Sequence, residues 1–178
     1  MIKDGVSRIV DGFASYDDDV TSVMFMLLKN RNEDEGQEFE LHSSPIPGEF
    51  LASGEAKDYF AEKVIPSAGR VFRPIAMAMV NASWAIAYDG EAKRAYPDME
   101  PDDFCEAICR EYGSIGASPY AFETVSAVIM TRTEALTLTA RISRSPDGSS
   151  ATLGEWHDAD TYGGRFPDAL RKALSYDD

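Results

Sequence analysis

The chain mixes three hydrophobic patterns: runs that are apolar throughout, runs apolar at every second residue, and runs apolar at helical spacing. The longest of the first kind is Arg73 to Tyr88, RPIAMAMVNASWAIAY, which carries no charge between Arg73 and Asp89. It is too apolar for a surface element and too short to span a bilayer. It therefore reads as the central strand of a sheet buried on both faces. Its small residues Ala76, Ala78 and Ala82 share one side with Trp84 and Ile86, and a helix is expected to approach there. Asn81 and Ser83 share the other side with Met77 and Met79.

The flanking patterns supply partners for this strand. Residues 20–29, VTSVMFMLLK, are apolar on both alternating faces and fit a second buried strand. The polar segment around Gly36 reads as a hairpin loop, and Glu38 to His42 then alternate as a half-exposed strand ended by Pro45 and Pro47. ALTLTARIS places Leu136, Leu138, Ala140 and Ile142 on one face and Thr137, Thr139 and Arg141 on the other. It should pair as a hairpin with AFETVSAVIMT before it, and Ser150 to Trp156 returns as a short strand.

Helical spacing appears at Ile2, Val6, Ile9, Val10 and Phe13, before a solvated turn at Asp17 to Asp19. Residues 53–65 read as a helix capped by Ser53 and closed by Pro66, with a link through Gly69 to the central strand. Residues 89–99 read as loop. A helix opens at Pro101 and stops at Gly113, and a last one opens at Pro167. The order of elements predicts a single α+β domain: a mixed, mostly antiparallel sheet of about six strands with helices packed against it.

Composition narrows the class. At 178 residues the chain is long enough to bury roughly 70% of its unfolded surface. Its 31 acidic and 17 basic residues give a net charge of −14, which argues against nucleic acid and against an anionic membrane surface. Two cysteines, Cys105 and Cys109, make no disulfide framework, and the first residues form neither signal nor transit peptide. A reducing, cytoplasmic setting is the expectation.

Arg73-Pro74-x-Ala76, the run to Ala82-x-Trp84, Pro119 with Glu123 opening an apolar strand, and Leu153-Gly154-Glu155 come in an order that resembles a family of uncharacterised bacterial proteins. The resemblance spans residues 20–156. It implies the fold and a bacterial or phage origin, and it transfers no activity.

Chemistry-bearing groups are few. His157, Asp158 and Asp160 form the densest set of polar ligands, and such oxygen and imidazole groups in a loop could hold magnesium or calcium. The plainer reading is a solvated loop before a helix. Asn81 and Ser83 are the only polar side chains inside the central strand, so they and His42 are candidate ligand-facing residues. Cys105 and Cys109 sit among Asp102, Asp103, Glu106 and Glu111, the wrong electrostatic setting for a reactive thiol. No phosphate loop, nucleophile elbow or zinc-protease motif is present, and the sequence leaves any cofactor unknown.

Three functions fit. The first is a non-catalytic binding or interaction protein, with a protein partner or with itself through a sheet edge or the 20–28 segment. The second is a small metal-assisted hydrolase using His157, Asp158 and Asp160, with His42 as a further candidate. The third is an acidic decoy or inhibitor of a basic partner.

Overall fold

In the computed structural model, residues 22–30, 39–146, 151–158 and 164–175 are described. The expected helix over 2–14, the turn at 17–19, the loop around Gly36 and Asp160 lie outside them.

Strands β1 (Ser22–Lys29), β2 (Phe39–Pro45), β3 (Ala76–Ile86), β4 (Ala121–Thr131), β5 (Ala135–Arg144) and β6 (Ala151–Leu153) form one sheet in the order β2-β1-β3-β4-β5-β6. A two-residue strand β7 (His157–Asp158) also pairs with β5. Every pair among the described strands is antiparallel. The apolar Arg73–Tyr88 run becomes β3, bracketed by β1 and β4, as its lack of charge requires. β1 also has a strand on each side, so its apolar side chains serve the core rather than an outer surface.

The sheet has two apolar faces because β1, β3 and β4 carry large residues on both. On one face Met24, Met26, Met77, Met79 and Met130 meet Phe60, Ile65, Leu170 and Leu174 of the helix layer. On the other, Phe25, Val80, Val125, Ala127, Leu138 and Ala140 cluster, and the described members of this cluster come from strands and from Trp156. The helix layer thus lies on the methionine side. The expected helix approach over Ala76, Ala78 and Ala82 does not occur among these clusters: long, flexible methionines fill the gap between helix and sheet, which small residues would leave empty.

That layer begins with α1 (Gly54–Tyr59), capped by Ser53, whose side-chain oxygen accepts from the Ala56 N–H at 3.1 Å. Pro66 does not close it. The helix widens into a π turn at Phe60–Val64 and continues as α2 (Ile65–Phe72), ending at Arg73 in a left-handed conformation. In the π turn the Ile65 N–H reaches Phe60 O, so the register shifts just where Pro66 has no N–H to give. Gly69 is not a linker either. It lies buried inside α2 against α5 (Arg165–Leu174), where an added Cβ would come 2.2 Å from Ala173 O. Two helix backbones touch there, which only glycine permits.

Residues 89–99 are not all loop: α3 (Gly90–Ala95) forms there. It packs with α4 (Pro101–Tyr112) in a third cluster, where Ala92, Phe104 and Ile108 are buried beneath Tyr88, Tyr96 and Tyr120. Tyr88 ties this unit together, donating to Tyr96 O at 2.5 Å and accepting from the Met99 N–H at 3.0 Å. Gly113 ends α4 in the left-handed region, as its position predicts. Among the described residues, no helix is long and apolar enough to cross a membrane.

Candidate functional site

Directly opposite residues in paired strands share a sheet face, so the registers can be read across the sheet. Ser22 lies opposite Asn81, Asn81 opposite Ser126, Ser126 opposite Thr139, and Thr139 opposite His157. One polar side chain from each of β1, β3, β4, β5 and β7 therefore stands in a single row. A second row, Ser83–Thr124–Arg141, runs beside it. Both lie on the face that carries the methionines. The helix-covered cluster reaches only as far as Met79 and Val128, so this face has an apolar half under helices and a polar half beyond them.

The row grades from inside to outside. Ser22 is fully buried, Asn81, Ser126 and Thr139 are half-buried, and His157 is exposed. Ser22 donates its hydroxyl hydrogen to Asn81 Oδ1. Thr124 donates to Ala140 O at 2.9 Å. Arg141 sits with its guanidinium 4.7 Å above the Phe122 ring, a cation–π contact that holds its positive charge at this end of the face. Among the described residues no hydrogen bond is made by the Asn81 amide nitrogen or by the Ser83, Ser126 and Thr139 hydroxyls.

Thr137 stands next to the row, opposite Val128. It is 7% exposed, and its Oγ1 is buried without a hydrogen-bond partner. Buried polar groups are nearly always satisfied, because leaving one dry costs about 1–3 kcal/mol. Trp156 Nε1 is the other such atom among the described residues.

A β-bulge puts His157 in the row. Leu153 lies opposite Ile142 and His157 opposite Thr139, so the outer strand advances four residues while β5 advances three. Gly154 starts the bulge, its N–H bonded to Arg141 O at 2.8 Å. One extra residue reverses the facing of everything after it. Without it His157 would point to the opposite, apolar face.

The sequence-derived metal set is not drawn together. His157 and Asp158 are adjacent in a strand, so their side chains leave on opposite faces: His157 lies opposite Thr139, Asp158 opposite Leu138. Asp160 lies outside the described residues. His42 is on β2 with β1, β3, β4 and β5 between it and β7, and its Nε2 is 3.0 Å from Glu40 Oε1. Among the described residues no group of three or more His, Cys, Asp or Glu side chains is placed to hold a metal ion. Cys105 and Cys109 are free on α4, the second exposed. Asn81 and Ser83, by contrast, both belong to the polar half.

A further concavity, an open groove on the outer side of α1 and α2, is lined by residues including Tyr59, Lys63, Val71 and Phe72. It contains no carboxylate and no imidazole, and none of the polar row.

Ser22, Thr124, Ser126, Thr137, Thr139 and Arg141 were not singled out by sequence reasoning as site residues. For all but Ser22 the signal is present in the alternation of β4 and β5, where every second residue of each strand is polar toward one end. What the alternation lacks is the register that aligns those ends.

No family model, no curated protein and no solved structure matches the chain.

Proposed function

We propose that this is a non-catalytic binding protein that receives a small polar ligand on the Ser22–Asn81–Ser126–Thr139–His157 row. The alignment of hydrogen-bonding side chains from five strands on one half-face is the observation that carries the reading. Such a row is costly inside a fold, since each polar group placed there forgoes apolar burial. Hydroxyls and an amide both donate and accept, so the ligand class is a neutral, hydroxyl- or amide-rich small molecule. Arg141 and His157 at the outer end suit an anionic substituent on it.

The row supports binding better than catalysis. The Thr139 hydroxyl does stand opposite the His157 imidazole, but activation of a nucleophile also needs a group that orients the base. Asp158, the nearest carboxylate in sequence, faces away.

The test is a thermal-shift screen of the full chain against sugars, sugar acids and amino acids, repeated with Ser126→Ala and Thr139→Val. A compound that stabilises the wild type and loses its effect in both variants supports the proposal. A screen without hits, or hits indifferent to both substitutions, sinks it.

A further inference from the structure

We infer that β2 is the surface through which two copies of this chain associate, as an antiparallel β2–β2 pair centred on Leu41. The inference is independent of the ligand row, none of whose residues lies on β2.

Among the described strands β2 is at an edge, and all its residues are exposed, Leu41 at 62% and Phe39 at 43%. An open edge with large apolar side chains is a template for another strand. Its hydrogen-bonding pattern can be worked out. β1 and β2 keep one unbroken register from Val23 opposite Pro45 to Lys29 opposite Phe39. Just beyond it, the Ile46 N–H donates to Ser22 O at 2.9 Å. In an antiparallel ladder alternate residues turn their N–H and C=O toward the same neighbour. Ser44, His42 and Glu40 therefore bond to β1, as Ile46 does. Phe39, Leu41 and Ser43 present theirs outward. Pro45 shares the outward parity, where its missing N–H costs β1 nothing.

A two-fold axis must map this strand onto itself, and side-chain charge selects among the registers. Centred on Glu40, two carboxylates would stand opposite each other. Centred on His42, Phe39 would face Pro45, which has no N–H to return. Centred on Leu41, Leu41 faces Leu41 and Phe39 faces Ser43, so every outward donor and acceptor of these residues is used. In that register Glu40 stands opposite His42 of the second copy, twice over. The His42 imidazole can donate a hydrogen bond to that carboxylate, whereas two carboxylates in the same position would repel. The strand is thus self-complementary in its backbone hydrogen bonds and in the carboxylate–imidazole pairing, which fits it to a second copy better than to an unrelated strand.

The test uses sedimentation velocity or light scattering on the full chain, with Glu40→Lys and His42→Glu. Both positions are exposed, so neither change touches the core; circular dichroism checks this. The wild type is expected at twice the chain mass. His42→Glu puts two carboxylates opposite each other and should weaken the dimer at least tenfold, and Glu40→Lys removes the acceptor that faces His42 and should weaken it too. An equimolar mixture of the two variants should return to twice the chain mass, because position 40 of one then faces position 42 of the other with opposite sign. A wild type that stays at the chain mass overturns the proposal, leaving the edge to a different partner or to none. So does a dimer indifferent to both substitutions, or a mixture no better associated than its components.

Discussion

The Ser22 hydroxyl, fully buried on β1, donates to the side-chain oxygen of Asn81, its direct neighbour on β3. The two residues differ in their access to water, and that difference is measurable. Asn81→Ala strands the Ser22 hydroxyl in a dry site and should cost about 1–3 kcal/mol. Ser22→Ala leaves a half-buried amide that can turn toward solvent and should cost about 1 kcal/mol or less. Urea unfolding of both single variants and the double gives the comparison. Equal, additive losses would show that the bond does not shelter Ser22.

Gly69 and Gly113 should respond differently to alanine. At Gly69 the new methyl meets the Ala173 backbone at 2.2 Å, and neither α2 nor α5 can yield by moving a side chain. The expected loss is about 3 kcal/mol or more. At Gly113 the methyl meets nothing within 4 Å, and only the left-handed φ of 82° is penalised. The expected loss there is roughly 1 kcal/mol. Thermal melts rank the two, and a Gly69→Ala protein as stable as wild type would remove the close helix contact from the account.

Thr137→Val exchanges a buried, unpartnered hydroxyl for a methyl of the same shape. Relief of the unsatisfied group should raise stability by about 1 kcal/mol. A lowered melting temperature would mean that the hydroxyl is bonded in solution, and the boundary of the polar half would then have to be redrawn.

Tyr96 donates its phenolic hydrogen to Glu111 Oε2, and that bond to a carboxylate holds the Tyr96 pKa well above the ordinary tyrosine range. The same carboxylate raises Tyr112. A pKa raised in the folded state means the bond contributes fully below the unfolded value and is lost as pH rises through the folded one. Spectrophotometric titration should show late-ionising tyrosines, and Glu111→Gln should bring them down toward the ordinary value. An unchanged titration curve would rule out the carboxylate as the cause.

Much of the fold is legible in the chain because it follows from local pattern. The absence of charge from Pro74 to Tyr88 places β3 at the centre. The Leu/Thr alternation of 135–142 declares a strand, Ser53 a cap, and Gly113 a stop. Two local signals mislead for a tertiary reason. Pro66 looks like a terminator, but a π turn realigns the backbone around it. Gly69 looks like a link, but its missing side chain serves a contact with a helix a hundred residues later. Local pattern has no access to either neighbour.

For the site the division is sharper. The sequence alone marks Asn81 and Ser83 as polar residues that need partners, and it sets Thr137, Thr139 and Arg141 on one face of their strand. It does not align them. Register is a long-range property, set by how five strands slide against one another until their apolar halves share a single helix layer. Only then do Ser22, Asn81, Ser126 and Thr139 fall into a row. The bulge at Gly154 decides the last member, since one extra residue carries His157 to the polar face while Asp158 goes to the other. Hydrophobic pattern thus determined which strands exist and which faces are buried. Strand pairing decided which polar residues meet, because the hydrogen-bond ladder that fixes their alignment joins segments far apart in the chain.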